Sequence, residues 1–280
     1  MANYGIPYQG SKDKLVHKLG AILPKAQNFY DLFGGGFSVS HYMAFHNKYP
    51  HVHYNEIEPS TVQLVKDAIA GKYNYDVFKP KWISREEFLN NLDDAYTRII
   101  WSFGNNQRTY IFGKHIEPQK RSLHQAIVFD EFDKTAVQIF GFNNWPSHLS
   151  MRGRRLLCRS TVRKRGERLD LQQLQQLERL QQLKTNSPIE FSSLSYEQVQ
   201  IKPNSIIYCD PPYKGTTGYT VEFDHDKFWD WVRTNPHPVY VSEYTAPQDI
   251  KVIAAFRHKK SNSAKNTTDS VEKLYWNGVQ

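Results

Sequence analysis

The chain has 280 residues, a formal net charge of +8 at neutral pH and two cysteines, Cys158 and Cys209. Two cysteines are too few for a disulfide framework at this length, and no apolar run approaches the length of a membrane span, so a disulfide-stapled secreted domain and an integral membrane protein are both excluded. The positive charge favours a partner that carries phosphates, such as nucleic acid.

The sequence predicts a cytoplasmic protein with one core and one inserted domain. The first residues lack the basic and apolar regions of a signal peptide. After Ala70 the pattern changes to an irregular aromatic and polar region, which is followed by a basic segment and a leucine-rich stretch. We therefore place the insertion at residues 71–185 and the core at residues 1–70 and 186–280.

The amino end carries a short motif, Ile6 to Lys12, before the first predicted helix. Apolar residues follow the motif at helical spacing, and the pattern stops at Pro24. These residues are Leu15, Leu19, Ile22 and Leu23. The motif is thus expected in a loop that leads into an amphipathic helix.

A glycine-rich loop, Tyr30 to Ser38, follows a short hydrophobic stretch and precedes a helix predicted from Ser38 to about Asn47. Its glycines allow the backbone to approach a ligand closely. The next predicted strand starts at Val52 and ends in carboxylates, of which Glu56 is the favoured acceptor for ribose hydroxyls. The pattern indicates a nucleoside site, although a triple glycine is also common in flexible turns.

Two amide-rich segments of the insertion are candidates for reading base edges. Asparagine, glutamine and arginine pair with adenine and guanine in the major groove of DNA. The same segments carry strong turn chemistry, so an ordinary turn is an equal alternative. The candidate residues are Asn105, Asn106, Gln107 and Arg108 in the first segment, and Asn143 and Asn144 in the second.

A basic segment runs from Arg152 to Arg168 and contains one acidic residue, Glu167. This charge density predicts a strand or loop that follows a phosphate backbone, and a solvated or disordered basic loop is the alternative. The proposed phosphate ligands are Arg152, Arg154 and Arg155. We expect replacement of Arg154 and Arg155 to flatten the salt dependence of DNA binding.

A leucine lies at every third position between Leu171 and Leu183. An α-helix turns about 100° per residue, so this repeat gives a wide face and not a leucine zipper. We predict a helix that closes the insertion and packs on the core or on its own basic segment. Thr185 to Pro188 is the expected linker back to the sheet.

The most informative motif follows the strand predicted at Ser205 to Cys209, where open α/β folds bind their ligands. It consists of Asp210, Pro211, Pro212 and Tyr213. Two prolines stiffen the chain and remove two backbone donors, so the turn presents oxygen acceptors next to an aromatic ring. Such a turn suits a planar group with an amine, whereas the alternative is an Asx-turn with an aromatic cap.

The chemistry that fits this turn is methylation of an exocyclic amine on a nucleobase. Hydrogen bonds from both amino hydrogens to the Asp210 carboxylate and the Pro211 carbonyl would turn the nitrogen lone pair toward an incoming methyl group. Tyr213 would stack on the base. A base within a duplex cannot reach such a turn, so the interpretation implies extrusion of the target nucleotide.

The order of these motifs resembles that of the Dam-like (α-group) N6-adenine-specific DNA methyltransferase family. Tyr8 to Lys12 is similar to the family's Trp-Ala-Gly-Gly-Lys segment, Asp31 to Gly36 to its Glu-Pro-Phe-x-Gly-x-Gly loop, and Asn55 to Glu58 to its Asp-x-Asn segment. Pro238 to Tyr244 is similar to its strand with Ser-Asn, and Lys259 to Ser263 followed by Glu272 to Tyr275 is similar to its basic tail. The likeness covers roughly residues 4–69 and 186–277.

Several positions differ from the family's pattern. Tyr8 stands in place of tryptophan, Leu32 in place of proline, and Phe37 in place of the last glycine of the loop. Glu56 and Glu58 stand in place of Asp and Asn. Each change keeps the chemical type that is needed, although Phe37 leaves the path of the loop open.

The resemblance implies an α/β fold with a Rossmann-like S-adenosylmethionine-dependent methyltransferase sheet and an inserted, mostly helical target-recognition domain. It implies S-adenosylmethionine as cofactor and double-stranded DNA as partner, with no metal, no membrane and a monomer or weak dimer. Lys259 and Lys260 join the DNA ligands. The implied cofactor ligands are Tyr8, Gly10, Lys12, Asp31, Phe33, Gly34, Gly35, Gly36, Glu56, Ile57 and Asp210.

Three hypotheses for the function follow from the sequence. The leading one is a DNA adenine N6-methyltransferase that acts on a flipped adenine. The second is an RNA or free-base amine methyltransferase, because the turn recognises an amine and a ring and not a polymer. The third is a catalytically silent nucleic-acid-binding module that keeps the turn.

Overall fold

A computed structural model describes residues 4–141, 143, 148–164, 171–213, 223–263 and 266–280. Within these ranges, seven strands form one sheet in the order β3-β2-β1-β4-β5-β7-β6. Strands β1 to β5 run parallel, and β7 lies antiparallel between β5 and β6. The strands are β1 (Asn28–Asp31), β2 (His51–Asn55), β3 (Ile189–Ser192), β4 (Ser205–Cys209), β5 (Val239–Glu243), β6 (Lys251–Ser263) and β7 (Asn266–Trp276).

The central strands are buried along their whole length. Every residue of β1, β4 and β5 is buried, as expected for parallel strands that are covered on both faces. One apolar cluster packs α1 and α2 against one face through Leu19 and Met43, and another packs α10 against the opposite face through Phe228 and Val232. The predicted α/β class is thereby confirmed.

The helices are α1 (Val16–Ile22), α2 (Ser38–Phe45), α3 (Pro59–Ile69), α4 (Arg85–Asn90), α5 (Ala95–Ile100), α6 (Glu117–Phe129), α7 (Lys134–Phe140), α8 (Met151–Lys164), α9 (Gln172–Gln181) and α10 (His225–Thr234). Short 3₁₀ turns occupy Phe103–Asn105 and Tyr196–Gln198. None of the helices that the structure describes is long and apolar enough to cross a lipid bilayer.

Packing divides the chain into two compact units. The first comprises residues 1–5, 11–62 and 184–280, and it contains the sheet. The second comprises residues 6–10 and 63–183 and contains α4 to α9. The assignment of residues 71–185 to target recognition, and of 1–70 and 186–280 to catalysis, stays a prediction.

Side-chain caps stabilise the starts of three helices in the second unit. The Ser84 side chain accepts a hydrogen bond from the Glu87 amide while Glu87 reaches back to the Ser84 amide, which forms a capping box before α4. Asp94 and Asp133 accept from backbone amides in the first turns of α5 and α7. These side chains satisfy amide groups that a helix leaves open at its start.

The leucine repeat forms the predicted helix, α9. All five of its leucines are buried, at positions 171, 174, 177, 180 and 183. Glu178 of α9 forms an ion pair with Arg155 of α8, so the helix packs on its own basic segment, which was one of the two predicted alternatives.

The basic segment is helical over Met151–Lys164, and the prediction of a strand or loop is wrong there. Like charges repel each other less in an extended stretch than in a helix. In this helix, however, Arg154 and Arg155 have internal partners. Arg155 is 6% exposed and pairs with Glu178. Arg165 to Arg168 lie outside the described residues.

Candidate active site at the carboxyl edge of the sheet

The candidate site lies at the point in the sheet where the strand order reverses, between β1 and β4. The chain leaves β1 toward β2 and β3 on one side, whereas β4 and β5 extend the sheet on the other side. Loops that leave two such neighbouring strands diverge and open a crevice at their carboxyl ends. Asp31 ends β1 and Asp210 follows β4, so two carboxylates meet at this crevice.

Asp210 forms an ion pair with Lys12, whose Nζ lies 2.5 Å from Asp210 Oδ2. The backbone amide of Lys12 donates to Ser38 Oγ at 3.1 Å, which fixes Lys12 on the start of α2. Lys12 is 7% exposed, and the Asp210 side chain keeps 18% of its surface exposed. Asp210 is therefore held in place and still open to a ligand.

The Tyr213 ring is fixed beside this ion pair. It meets the Tyr244 ring edge-on, with centroids 4.8 Å apart and planes at 80°. Lys12 Nζ lies 5.0 Å from the Tyr213 centroid, within the range of a cation–π contact. The proline pair, Pro211 and Pro212, connects the ring to Asp210 without any backbone donor.

The glycine loop is pinned to the end of β2. The Gly34 amide donates to the Asn55 carbonyl at 2.8 Å, and the Gly35 amide donates to Glu56 Oε2 at 2.8 Å. A Cβ atom at Gly34 would lie 2.2 Å from the Tyr54 ring, so only glycine fits there. Glu56 thus shapes the loop, and its role as a ribose ligand stays a prediction.

Phe37 settles the path of the loop that the sequence left open. The residue has φ 66°, a left-handed conformation that glycine adopts freely and phenylalanine rarely adopts. Its ring is fully buried, stacks on His41 and meets Tyr54 edge-on. Burial of the ring offsets the backbone strain, so the loop keeps a turn without the family's last glycine.

Burial raises the pKa of both carboxyls at the crevice. The pKa of Asp31 rises to about 7 because the group is buried, and hydrogen bonds from Ser40 oppose the rise. Burial also raises the pKa of Asp210, while the Lys12 ammonium lowers it and the charge of Glu272 raises it. Oδ1 of Asp31 has no hydrogen-bond partner among the described residues.

Two buried glutamates of this edge, Glu243 and Glu272, were missed from the sequence. Glu243 ends β5 and Glu272 lies on β7, and they are 2% and 4% exposed. The spacing from Leu274 could have indicated that Glu272 is buried, because residues two apart on a strand share a face and Leu274 is fully buried. The edge is therefore rich in carboxylates, with Lys12 in contact with two of them.

Other predicted cofactor ligands lie in different surroundings. Tyr8 is half-buried, and Gly10 has φ +80° with open space around it; both belong to the second compact unit. Phe33 packs against the rings of Tyr196, Phe223 and Phe228. Ile57 is 67% exposed beside Glu56, as an apolar surface for a ligand would be. Gly36 is buried in the loop.

The first predicted base-reading segment is a closed turn. Asn105 donates to the Ile99 carbonyl at 3.0 Å, and the Gln107 side-chain oxygen accepts from Arg98 Nε at 2.9 Å. Asn106 Oδ1 accepts from the amides of Arg108 and Thr109. These amides shape the turn, which matches the turn alternative, and Arg108 is exposed on it. Their role in base reading stays a prediction.

The remaining predicted DNA ligands are placed only in part. Asn143 is exposed, and Asn144 lies outside the described residues. Lys259 and Lys260 lie on β6, in register with Asp269 and Thr268 of β7.

The arginines of α8 divide into internal and exposed ones. The Arg154 guanidinium donates to the carbonyls of Ile127, Val128 and Leu149 at 2.7 to 3.3 Å. Arg155 is buried against Glu178. The predicted phosphate contacts of Arg154 and Arg155 are corrected accordingly, because these donors are occupied within the unit. Arg152 and Arg159 are exposed; the role of Arg152 stays a prediction, and Arg159 is a further candidate.

No group of three or more His, Cys, Asp or Glu side chains is arranged to hold a metal ion within the ranges that the structure describes.

The switch-point crevice, the glycine loop and the Asp-Pro-Pro-Tyr turn on a mostly parallel sheet with one antiparallel strand define the class of Rossmann-like methyltransferases. The sequence model of the D12 class N6 adenine-specific DNA methyltransferases matches residues 8–234. The chain belongs to this family, and the predicted family and fold are confirmed. Glu243 and Glu272 lie beyond the matched residues.

Proposed function

We propose that the protein is a site-specific DNA adenine N6-methyltransferase that uses S-adenosylmethionine and acts on an adenine flipped out of duplex DNA. The observation that carries the proposal is the Asp210–Lys12 pair beside the Tyr213 ring, at the switch point of a chain that belongs to the D12 class. An acceptor and a flat ring at one turn suit an amine on a planar base.

The residues at the crevice fit S-adenosylmethionine, which carries a sulfonium and an amino group. Asp31 is a buried carboxyl with one oxygen that has no hydrogen-bond partner among the described residues. Glu56 lies at the glycine loop with acceptor oxygens for a ribose. When bound, the cofactor would supply a methyl group activated for displacement; the protein supplies acceptors and negative charge for its cationic groups.

The Asp-Pro-Pro-Tyr turn would prepare the adenine for the reaction. Asp210 and the carbonyl of Pro211 accept the two hydrogens of the amino group, which turns the nitrogen lone pair out of conjugation with the ring. Tyr213 stacks on the flipped base and offsets part of the cost of unpairing it. The Lys12 ammonium opposes the rise that burial causes in the pKa of Asp210, and it holds the Asp210 side chain in place.

Transfer of labelled methyl groups from S-adenosylmethionine to duplex DNA and to transcribed RNA tests the proposal. We expect label in the duplex as N6-methyladenine, and expression in a methylation-free host followed by modification-sensitive sequencing should report the target site. Label in RNA alone would support an RNA methyltransferase. A protein that binds duplex and transfers no methyl group to either polymer would be a silent binding module.

The affinity for S-adenosylmethionine is expected to rise about tenfold between pH 6 and pH 8. The pKa of Asp31 is about 7 in the free protein, so the carboxyl is mostly protonated at pH 6 and must lose its proton to face a cation. Equilibrium binding by tryptophan fluorescence measures the change. Asp31→Asn is the control and should remove the rise; a wild-type affinity that is equal at both pH values would contradict the role of Asp31.

DNA binding should separate the two kinds of arginine on α8. The double variant Arg152→Ala/Arg159→Ala should flatten the plot of log K against log salt by about 2, since each phosphate that an arginine neutralises adds about 0.9 to the slope. The matched pair Arg154→Ala/Arg155→Ala removes internal hydrogen bonds and an ion pair, so it should lower the unfolding temperature and leave the slope unchanged. Equal changes of slope in both variants would contradict this division.

A further inference from the structure

Strand β7 brings a buried carboxylate to the carboxyl edge of the sheet. The last pair that β7 forms with β5 is Lys273 with Glu243, and Glu272 lies one residue beyond it. Glu272 is 4% exposed, and its Oε1 accepts no hydrogen bond from any residue that the structure describes. Burial of such a carboxylate costs free energy that an apolar side chain would not cost. Stability alone does not explain a glutamate here.

Among the described residues, Lys12 forms an ion pair with Glu272. Lys12 Nζ lies 3.8 Å from Glu272 Oε1 and 2.5 Å from Asp210 Oδ2. One ammonium group thus contacts two carboxylates, one from the turn after β4 and one from strand β7. A lysine ends in a flexible four-carbon chain, so the charges at its tip decide where the ammonium group rests.

We propose that Glu272 is a positioning residue of the methyl-transfer site. Glu272 shares the Lys12 ammonium with Asp210, and it thereby keeps Asp210 a strong acceptor for the target amino group. The inference rests on the proposed function, because the amino group is that of the flipped adenine. Nothing in the family match covers Glu272, since the match ends at residue 234.

The net charge of Lys12, Asp210 and Glu272 gives the physical reason for this role of Glu272. With Lys12 charged and both carboxylates ionised, the three groups carry a net negative charge; without Glu272 they would be neutral. The adenine nitrogen would become positively charged as its bond to the methyl carbon forms and the bond between that carbon and the cofactor's sulfur breaks, and it would stay so until one of its protons passes to water. A fixed negative charge next to that nitrogen stabilises the transition state more than the ground state.

Replacement of Glu272 by glutamine is expected to lower kcat/KM for methyl transfer by about 10- to 100-fold, as for other side chains that orient a reacting group through a neighbour. The acid limb of the pH profile should also move to lower pH. The charge of Glu272 raises the pKa of Asp210, so its removal lets Asp210 ionise at lower pH. Among the described residues, the charged and titratable groups that face Asp210 are Lys12, Glu272, Tyr208, Cys209, Asp31 and Tyr213.

The control variant is Glu190→Gln, the same substitution on β3 at the other end of the sheet order. It should keep the wild-type pH profile. Glu272→Asp keeps the charge, and it should restore part of the activity and the position of the acid limb. The unfolding temperature of Glu272→Gln should equal or exceed that of the wild type, because a buried charge has been removed.

Titration of ¹³C-labelled aspartate carboxyls by NMR gives a readout that needs no activity, with Asp210→Asn to assign the signal. The pKa of Asp210 should be lower in Glu272→Gln than in the wild type. An unchanged pKa, or a loss of activity that is uniform in pH and comes with a lower unfolding temperature, would overturn the role of Glu272. A wild-type protein that methylates no DNA would instead overturn the proposed function.

Discussion

Asp210→Ala is expected to reduce kcat/KM for methylation of duplex DNA by at least about 100-fold, the loss seen when one preorganised hydrogen-bonding partner is removed from a reacting group. Asp210 carries the carboxylate of the turn after β4, and its side chain is 18% exposed. The measurement is incorporation of labelled methyl groups under single-turnover conditions.

The same variant should also weaken binding of S-adenosylmethionine. Without Asp210, the Lys12 ammonium loses the carboxylate at 2.5 Å, whereas Glu272 lies farther away, at 3.8 Å. The crevice then carries one negative charge less toward a cationic ligand. Asp210→Asn keeps the size of the side chain and one acceptor oxygen, so it should be inactive with a smaller loss of affinity.

Asp226→Ala is the matched control, because Asp226 is exposed in the first turn of α10. It should leave transfer within a few fold of the wild type. Activity of Asp210→Ala within a few fold of the wild type would show that the turn after β4 does not hold the reacting amine.

Local patterns of the sequence predicted the strands that build the site. The run Ser205–Cys209 is β4 without a shift, because a core of two isoleucines and a tyrosine with high strand propensity is bounded by Asn204 and by a diproline turn. The glycine loop was predicted from its run of glycines, which allow close approach of the backbone; in the structure the Tyr54 ring leaves no room for a side chain at Gly34. Such features depend on neighbours in the chain, and the sequence shows them directly.

Pairing between distant residues could not be predicted in the same way. Lys12 and Asp210 are separated by 198 positions, and no periodicity of either segment shows that they form an ion pair. The position of Glu272 was equally hard to predict, because the antiparallel pairing of β7 with β5 brings it to the edge where β4 ends. The chemical types at the site were therefore predictable from the sequence, whereas their electrostatic partners were not.

The basic segment shows a different cause of error. Its arginines were interpreted by their density alone, which favours an exposed, extended chain. Arg155 and Cys158 are buried three positions apart, which is helical spacing, and Glu178 of the following helix neutralises Arg155. A charge run with an acidic partner farther along the chain can be part of a packed helix.

Tyr213→Ala is expected to cost about 1–3 kcal/mol of base stacking, which corresponds to a loss of about 5- to 150-fold in kcat/KM. Tyr213→Phe should be mild, because it keeps the ring. The ring is held edge-on by Tyr244 and lies under the Lys12 ammonium, so it has a fixed face for a flipped base. The assay is steady-state methylation of a duplex with one target adenine.

A duplex with an abasic site in place of the target adenine is the control substrate. It offers no base to stack, so Tyr213→Ala and the wild type should bind it with equal affinity. Weaker binding of the abasic duplex by Tyr213→Ala would mean that the ring supports the site itself and does not stack on the base. Equal losses in Tyr213→Ala and Tyr213→Phe would assign the effect to the hydroxyl group, which lies close to Asp210 and Glu272.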